Sequence, residues 1–260
     1  MISLIQLLKE VQGKPVAILL AGAPGAGKGS VLRDLDLSGL KTLNLDDTIA
    51  ALSKVDGFTL NQKAADAEDR SKFMKAMATA TKKLKGEQIP QAIANGESFI
   101  LDGTSASKNQ TIKLTNELKE AGYEVMMLYV YTDLERSLMQ NQDRFEKSGG
   151  EDRSLAPAIV MRTWASVTDN FGAYQAMFKP NFVSVANTLE DEKLTDIEDI
   201  IKKYLDPFKP TGTKPKDAKA QARSDKSKAA LNAKLKDLLS DSEAEIIIKI
   251  KSNTLFFIFI

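Results

Sequence analysis

Apolar residues in this chain fall into two alternating patterns. Short, nearly continuous apolar runs at residues 16–20 (VAILL), 98–101 (SFIL), 123–131 (YEVMMLYVY) and 181–186 (NFVSVA) read as strands, and the longest has the composition of a strand buried on both faces. A weaker run at 41–45 (KTLNL) reads as a further strand, second in chain order. Between these lie helix-compatible stretches at 31–35, from Thr48 onward, and at 62–84, 91–95, 109–121, 133–145, 153–177 and 195–205. Thr132 is placed to cap the 133–145 helix, Pro90 to interrupt the one before it, and Pro180 to end the 153–177 stretch. Trp164, Phe171 and Tyr174 recur at helical spacing, which favours core packing over a base-stacking surface. Strands alternating with helices at these intervals predict an α/β fold. It is a three-layer α/β/α sandwich on a mostly parallel sheet with right-handed crossovers.

The two ends differ from this body. Ile2, Leu4, Ile5, Leu7, Leu8 and Val11 form an apolar helical face without a basic leader or a small-residue cleavage site, which suggests a docking helix rather than a signal peptide. Near Pro207 the composition shifts to Lys, Ala, Pro, Ser and Thr with almost no large apolar side chain, so 207–228 is expected to be a basic flexible linker. Residues 229–239 suit a short amphipathic helix. The terminal runs at 246–251 and 255–260 are too short for a membrane span and are β-prone. The expected division is therefore a domain over 1–206, the linker, and a C-terminal helix with an apolar, poorly ordered tail over 229–260.

Composition narrows the chemistry. The 260 residues are 43% apolar and 27% charged with a net charge of +1, so no overall field favours nucleic acid or membrane. There is no cysteine and no histidine. Disulfides, thiolate nucleophiles, Cys/His metal sites and triads with a histidine base are excluded, and proton transfer falls to Asp, Glu, Lys or Tyr.

The first strand runs into Gly22-Ala23-Pro24-Gly25-Ala26-Gly27-Lys28-Gly29-Ser30, and a helix follows. Strand, glycine loop, lysine and helix make a phosphate-binding P-loop. Glycines let consecutive N–H groups turn toward a phosphate, the helix adds the positive end of its dipole, and Lys28 is a mobile charge for the β and γ phosphates. The strict pattern places Ser or Thr directly after the lysine, whereas here Gly29 intervenes before Ser30. That loop form resembles adenylate kinases and other small nucleotide-type kinases.

Phosphoryl transfer also needs a metal, a positioned hydroxyl and positive charge over the moving group. Ser30 and Asp102, the latter ending the third strand in Asp102-Gly103-Thr104, are candidate Mg²⁺ donors. Asp46 and Asp47 follow the second strand, and either is a candidate proton acceptor; helix capping is the competing role. Arg144 and Arg153 flank Gly149-Gly150, as on a glycine-hinged lid. Arg136 and Arg162 read as surface or helix-pairing residues.

Taken in order, the P-loop ending in Lys28, Asp47-Thr48, Asp102-Gly103-Thr104, Arg144 and Arg153 resemble the zeta-toxin family of P-loop kinases over roughly residues 13–190. That family phosphorylates a sugar hydroxyl of UDP-N-acetylglucosamine with ATP. The resemblance implies that Lys28 binds the phosphates, Asp47 is the base, Asp102 and Thr104 hold the acceptor, and Arg144 and Arg153 stabilise the transferring group. The family usually has Glu in place of Asp102, an arginine in place of Ala106, and Ser or Thr in place of Gly29, so the kinase core transfers better than the sugar-nucleotide substrate.

The expected function is an ATP- and Mg²⁺-dependent cytoplasmic kinase acting on a hydroxyl of a nucleotide sugar, nucleotide or polynucleotide end, with a separate inhibitor chain as a candidate partner and no membrane association. The alternative is an ATP-binding regulatory module carried to nucleic acid by the basic tail.

Overall fold

The computed structural model describes residues 13–35, 40–62, 65–150, 152–187 and 218–239. The helices expected at 2–11 and 195–205 and the apolar runs past 246 lie outside the described residues.

Five parallel strands form one sheet in the order β2-β3-β1-β4-β5. They are β1 (Val16–Ala21), β2 (Lys41–Leu43), β3 (Phe99–Leu101), β4 (Glu124–Tyr131) and β5 (Phe182–Ala186). The helices are α1 (Lys28–Asp34), α2 (Asp46–Asp56), α3 (Ala67–Lys83), α4 (Ile89–Ala94), α5 (Lys108–Glu120), α6 (Leu134–Lys147), α7 (Pro157–Asp169), α8 (Phe171–Phe178) and α9 (Ala218–Asp237).

The side-chain period of two along a strand builds a core on each face of the sheet. Val16, Ile18 and Leu20 of β1 join Met126, Leu128 and Val130 of β4 under α2, α3, α6 and α7. The alternate residues Ala17, Leu19 and Ala21 join Val125, Met127, Tyr129 and Tyr131 beneath α4, α5 and α8. All six residues of β1 are buried, as the unbroken apolar run requires. The three-layer α/β/α sandwich is the fold the pattern predicts. Trp164, Phe171 and Tyr174 are core residues, each 2% exposed or less.

Register aligns the strand ends. Leu43, Leu101 and Leu19 lie side by side across β2, β3 and β1. The next residues in the chain therefore leave from one sheet edge. Connections depart from β1 toward β2 and from β3 toward β4, in opposite directions, the arrangement that opens a ligand crevice at the carboxyl ends of strands.

Several elements differ from expectation. Pro90 does not interrupt: α3 continues through a π-helical turn (Leu84–Gln88) into α4, with Ile89 N–H donating to Leu84 O, and this wider turn absorbs the proline's missing donor. The cap of α6 is Asp133, which accepts from Arg136 N–H at 2.7 Å, whereas the hydroxyl of Thr132 is buried with no hydrogen-bond partner. Residues 153–156 are not helical, and Asn170 divides the remainder into α7 and α8.

The helix expected from Ala229 begins at Ala218, so 218–228 is helical rather than a flexible linker. Its alanine-rich sequence has high helix propensity. It is held by burial: Leu235 and Leu238 enter the core that contains Trp164 and Val160, and Lys234 Nζ pairs with Asp169 Oδ2 at 2.7 Å. Residues 229–239 are thus docked on the domain rather than part of a poorly ordered tail. Leu235 is fully buried, so Leu235→Ala should lower unfolding free energy by about 2–5 kcal/mol in denaturant titration, and an unchanged midpoint would mean that α9 is not docked in solution.

Candidate functional site

The loop after β1 turns sharply at Gly25 (φ +79°) and Gly27 (φ +80°), a backbone region that suits glycine. Both are also places of close approach. A Cβ on Gly25 would collide with Ser137 O, and one on Gly27 with the side-chain amide of Asn187.

Every carbonyl over residues 22–27 has a donor. Lys28 Nζ donates to Gly22 O and Ala23 O, each at 3.0 Å. Ser137 Oγ donates to Pro24 O at 2.6 Å. Gln140, with its amide oriented to satisfy both ends, donates to Gly25 O at 2.6 Å and accepts from Arg136 Nε at 2.9 Å. Asn187 Nδ2 donates to Ala26 O at 2.9 Å, and Gly27 O accepts from the N–H groups of Ser30 and Val31. The carbonyls are thereby committed to the protein. The N–H groups that open α1 are those a helix leaves without an internal partner, and with the helix dipole they form an anion site.

Burial depresses the Lys28 ammonium from its ordinary 10.5 to about 8; Asp102 and Asp46 pull it back up, and Arg144 and Arg153 push it further down. These five charges form one electrostatic cluster, built from the residues past the ends of β1, β2 and β3, from α6 and from the α6–α7 connection. Asp102 N–H donates to Leu43 O at 2.9 Å, fixing the end of β3 to the end of β2. Burial raises the Asp102 carboxyl above its usual range; Lys28 opposes this and Asp46 reinforces it.

Asp46 accepts from Arg153 Nε at 2.7 Å and from Arg144 Nη2 at 3.3 Å. Burial pushes its carboxyl upward, but Arg153 and Arg144 outweigh burial and hold it below the ordinary value. Asp47 is exposed on the first turn of α2, and its N–H donates to Asn44 Oδ1 at 3.0 Å. Neither aspartate caps α2: its N-cap is Leu45, and the side chain that meets a first-turn N–H is Asn44.

Arg144 lies near the end of α6, and the chain just after Arg153 is bonded to its neighbours. Gly149 and Gly150 close the end of α6 through N–H bonds to Glu146 O and Phe145 O. Ser154 then pairs by backbone with Leu60 and Gln62, and Asn141 bonds both ways with Leu155 at 2.9 and 3.0 Å. The lid expected from the glycine pair is thus a helix terminus followed by a pinned segment.

Thr104 lies in the loop after β3, where its carbonyl accepts from Gly22 N–H at 3.2 Å. Ser105 takes a left-handed conformation (φ +50°) and donates to Leu20 O, and Tyr174 OH donates to Ser105 O. Ser30 is exposed and accepts from Arg33 Nη2 at 2.9 Å, one helix position beyond Gly29. Arg136 pairs within α6 as expected, but its partner Gln140 touches the loop. Ser137, Gln140 and Asn187 were missed on sequence grounds, because nothing in spacing or composition distinguishes a polar side chain that holds a distant carbonyl. Among the described residues, no helix is long and apolar enough to cross a membrane.

A glycine loop with its carbonyls tied back and a lysine at its mouth, heading an all-parallel sheet, gives this protein the α/β P-loop kinase fold. The zeta-toxin family model matches residues 4–199, and the chain belongs to that family. No curated protein sequence matches it. Among solved structures it is similar to the AvrRxo1-ORF1:-ORF2 complex with ATP, at 17% identity and TM-score 0.53, covering 91% of this chain and 80% of that one. It is also similar to the PezAT toxin–antitoxin structure of Streptococcus pneumoniae, at 17% identity and TM-score 0.50, covering 92% and 95%. A kinase-like structure from Chloroflexus aurantiacus shares 16% identity over 74% of this chain and 99% of that one, with TM-score 0.47.

Two measurements test the loop. Gly25→Ala should cost nucleotide affinity by calorimetry while far-UV dichroism stays unchanged, since the strain of about 1–3 kcal/mol is local; full affinity would show that the close approach to Ser137 is dispensable. Nucleotide affinity of the wild type should also fall as pH rises through about 8, where Lys28 loses its proton. Between about 8 and 10.5 the unfolded chain binds the extra proton, so this group's contribution to stability rises with pH over the window in which binding weakens.

Proposed function

We propose that this protein is an ATP-dependent phosphotransferase that moves the γ-phosphoryl group to a hydroxyl of a small acceptor: a nucleotide sugar, a nucleotide or a polynucleotide end. The observation that carries this reading is the convergence of Lys28, Asp46, Asp102, Arg144 and Arg153 on one cluster beside the glycine loop. A binding module needs the loop; the proton-accepting carboxylates and paired arginines suit transfer. The ATP in the AvrRxo1 neighbour's structure supports ATP as the donor. The complexed neighbours support a separate inhibitor chain as partner.

Lys28 would leave its two loop carbonyls for the phosphates. Arg144 and Arg153 would stabilise charge on the transferring group, and Thr104 with Asp102 would help hold the acceptor. Asp47 is assigned as the base, because it is exposed while Asp46 is engaged by both arginines. The fold class implies Mg²⁺. Among the described residues no group of three or more acidic side chains gathers to hold a metal unaided. The single carboxylate Asp102 fits a hydrated ion that takes its other ligands from phosphates, and Ser30, as placed, is engaged by Arg33. When bound, the ion neutralises charge on the β and γ oxygens.

The test is transfer of label from γ-labelled ATP into a metabolite pool, with the labelled product identified. Lys28→Ala should abolish transfer and ATP turnover. Asp47→Asn should reduce transfer by roughly 10²- to 10⁴-fold with ATP binding retained. Undiminished transfer in Asp47→Asn would overturn the assignment of the base, and label found only in free phosphate would overturn the acceptor.

A further inference from the structure

Four side chains beside the loop form an alternating chain of charge. Arg153 Nε meets Asp46 Oδ1 at 2.7 Å, and Asp46 Oδ2 meets Arg144 Nη2 at 3.3 Å. Arg144 then meets Asp152 twice, Nε to Oδ2 at 3.2 Å and Nη2 to Oδ1 at 3.4 Å. Asp152 is itself held, its N–H donating to Ser148 Oγ at 2.8 Å. Two guanidinium groups and two carboxylates make the group neutral.

The nitrogens used are informative. Asp46 takes Arg153 by Nε, and the two carboxylates take Arg144 by Nε and Nη2. Among the described residues, no hydrogen bond runs from Nη1 or Nη2 of Arg153, or from Nη1 of Arg144. A guanidinium has five donors in a rigid plane, so fixing it by one edge fixes the direction of the remainder. Asp46 is not occupied with a first-turn N–H of α2, since the Asp47 N–H is taken by Asn44 Oδ1. The backbone pairing of Ser154 and the Asn141–Leu155 bonds hold the segment next to Arg153 in place.

We propose that Asp46 and Asp152 are positioning residues that hold Arg153 by Nε and Arg144 along its Nε–Nη2 edge as a preformed clamp, leaving Nη1 and Nη2 of Arg153 and Nη1 of Arg144 to bind the oxygens of the phosphoryl group in flight. This rests on the phosphotransferase reading above. It assigns Asp46 an action through the arginines rather than on the acceptor, and it gives Asp152 a role that neither spacing nor motif suggested. A clamp fixed before the reaction spends no reorganisation when charge develops, which is how preorganised donors accelerate a step.

The test uses the full chain and a mimic of the transferring group: ADP with aluminium fluoride and Mg²⁺, compared with ADP and Mg²⁺ alone, both measured without acceptor. Wild type should bind the fluoride complex more tightly than ADP. In Asp46→Asn that advantage should shrink roughly 10- to 100-fold, the scale for losing an outer partner of a site residue, while ADP affinity and the unfolding midpoint stay near wild type. The losses in Asp46→Asn and Arg153→Ala should combine to less than their sum, because the first acts in part through the second. Asp46→Glu should recover part of the advantage. Should Asp46→Asn fail to fold, Asp152→Asn carries the test, since Asp152 is the more exposed carboxylate, 47% against 34%, and holds only Arg144.

An Asp46→Asn protein that keeps the full fluoride advantage but loses transfer would overturn the proposal and make Asp46 a base. Additive losses with Arg153→Ala, or an equal fall in ADP affinity, would also overturn it in favour of a structural role. A wild type with no preference for the fluoride complex would instead strike at the phosphotransferase reading itself.

Discussion

The site depends on where the loop carbonyls at 22–27 point. A backbone that wraps an anion must turn its oxygens away, and each oxygen then needs a donor, because a buried carbonyl without one costs about 1–3 kcal/mol. Lys28 serves the carbonyls of Gly22 and Ala23, the N–H groups of Ser30 and Val31 serve that of Gly27, and Ser137, Gln140 and Asn187 serve the other three from α6 and from the end of β5. The phosphate cradle is thus assembled by parts of the chain more than a hundred residues downstream. Only glycine fits at Gly25 and Gly27, where the loop is pressed against those supports.

The sheet distributes charge in the same way. Register brings the ends of β1, β2 and β3 to a common line, and the chain places a lysine, an aspartate pair and an aspartate just past them. Three cations, Lys28, Arg144 and Arg153, then face Asp46, Asp102 and Asp152. Near neutrality lets these groups gather below the surface without a ligand, since a partly buried charge with no partner would be expelled or neutralised. The price is that both arginines are already engaged, so the geometry of the remaining nitrogens decides what the site can do.

This explains which features could be read from the chain alone. The fold was legible because a parallel sheet covered on both faces leaves unbroken apolar runs in β1 and β4, and turn residues mark their ends. The loop was legible because its glycines are required by local backbone geometry. Lys28, Asp46, Asp102, Arg144 and Arg153 could be picked out because they are charged residues just past strand ends or beside a glycine turn, and the fold brings them together; the roles assigned to them are proposals. Ser137, Gln140, Asn187 and Asp152 were not, since each acts by reaching a partner distant in the fold or by orienting another side chain. The glycine pair at 149–150 misled for a related reason: positive φ marks a helix terminus as readily as a hinge, and only the bonds of Ser154 and Asn141 distinguish the two. In α9 the spacing of Leu231, Leu235 and Leu238 marked the amphipathic part, whereas 218–228, rich in Lys and Ala with no large apolar residue, suggested solvation and is helical.

The departures from the family pattern have a common consequence. Gly29 removes a hydroxyl from the position after the lysine, and Ser30 is exposed and engaged by Arg33. Asp102 is shorter by a methylene than the usual glutamate, and burial raises its pKa. On the proposed reading, each change would weaken the protein's own hold on a cation near the phosphates. Charge stabilisation would then shift toward Lys28 and the two arginines, whose orientation would matter correspondingly more. An arginine already held along one edge by a carboxylate loses little entropy when its remaining nitrogens meet an oxygen. In the proposed site, with Asp102 as the carboxylate donor and no hydroxyl directly after the lysine, Asp46 and Asp152 would then do part of the work that direct metal ligands do elsewhere, by fixing in advance where positive charge stands.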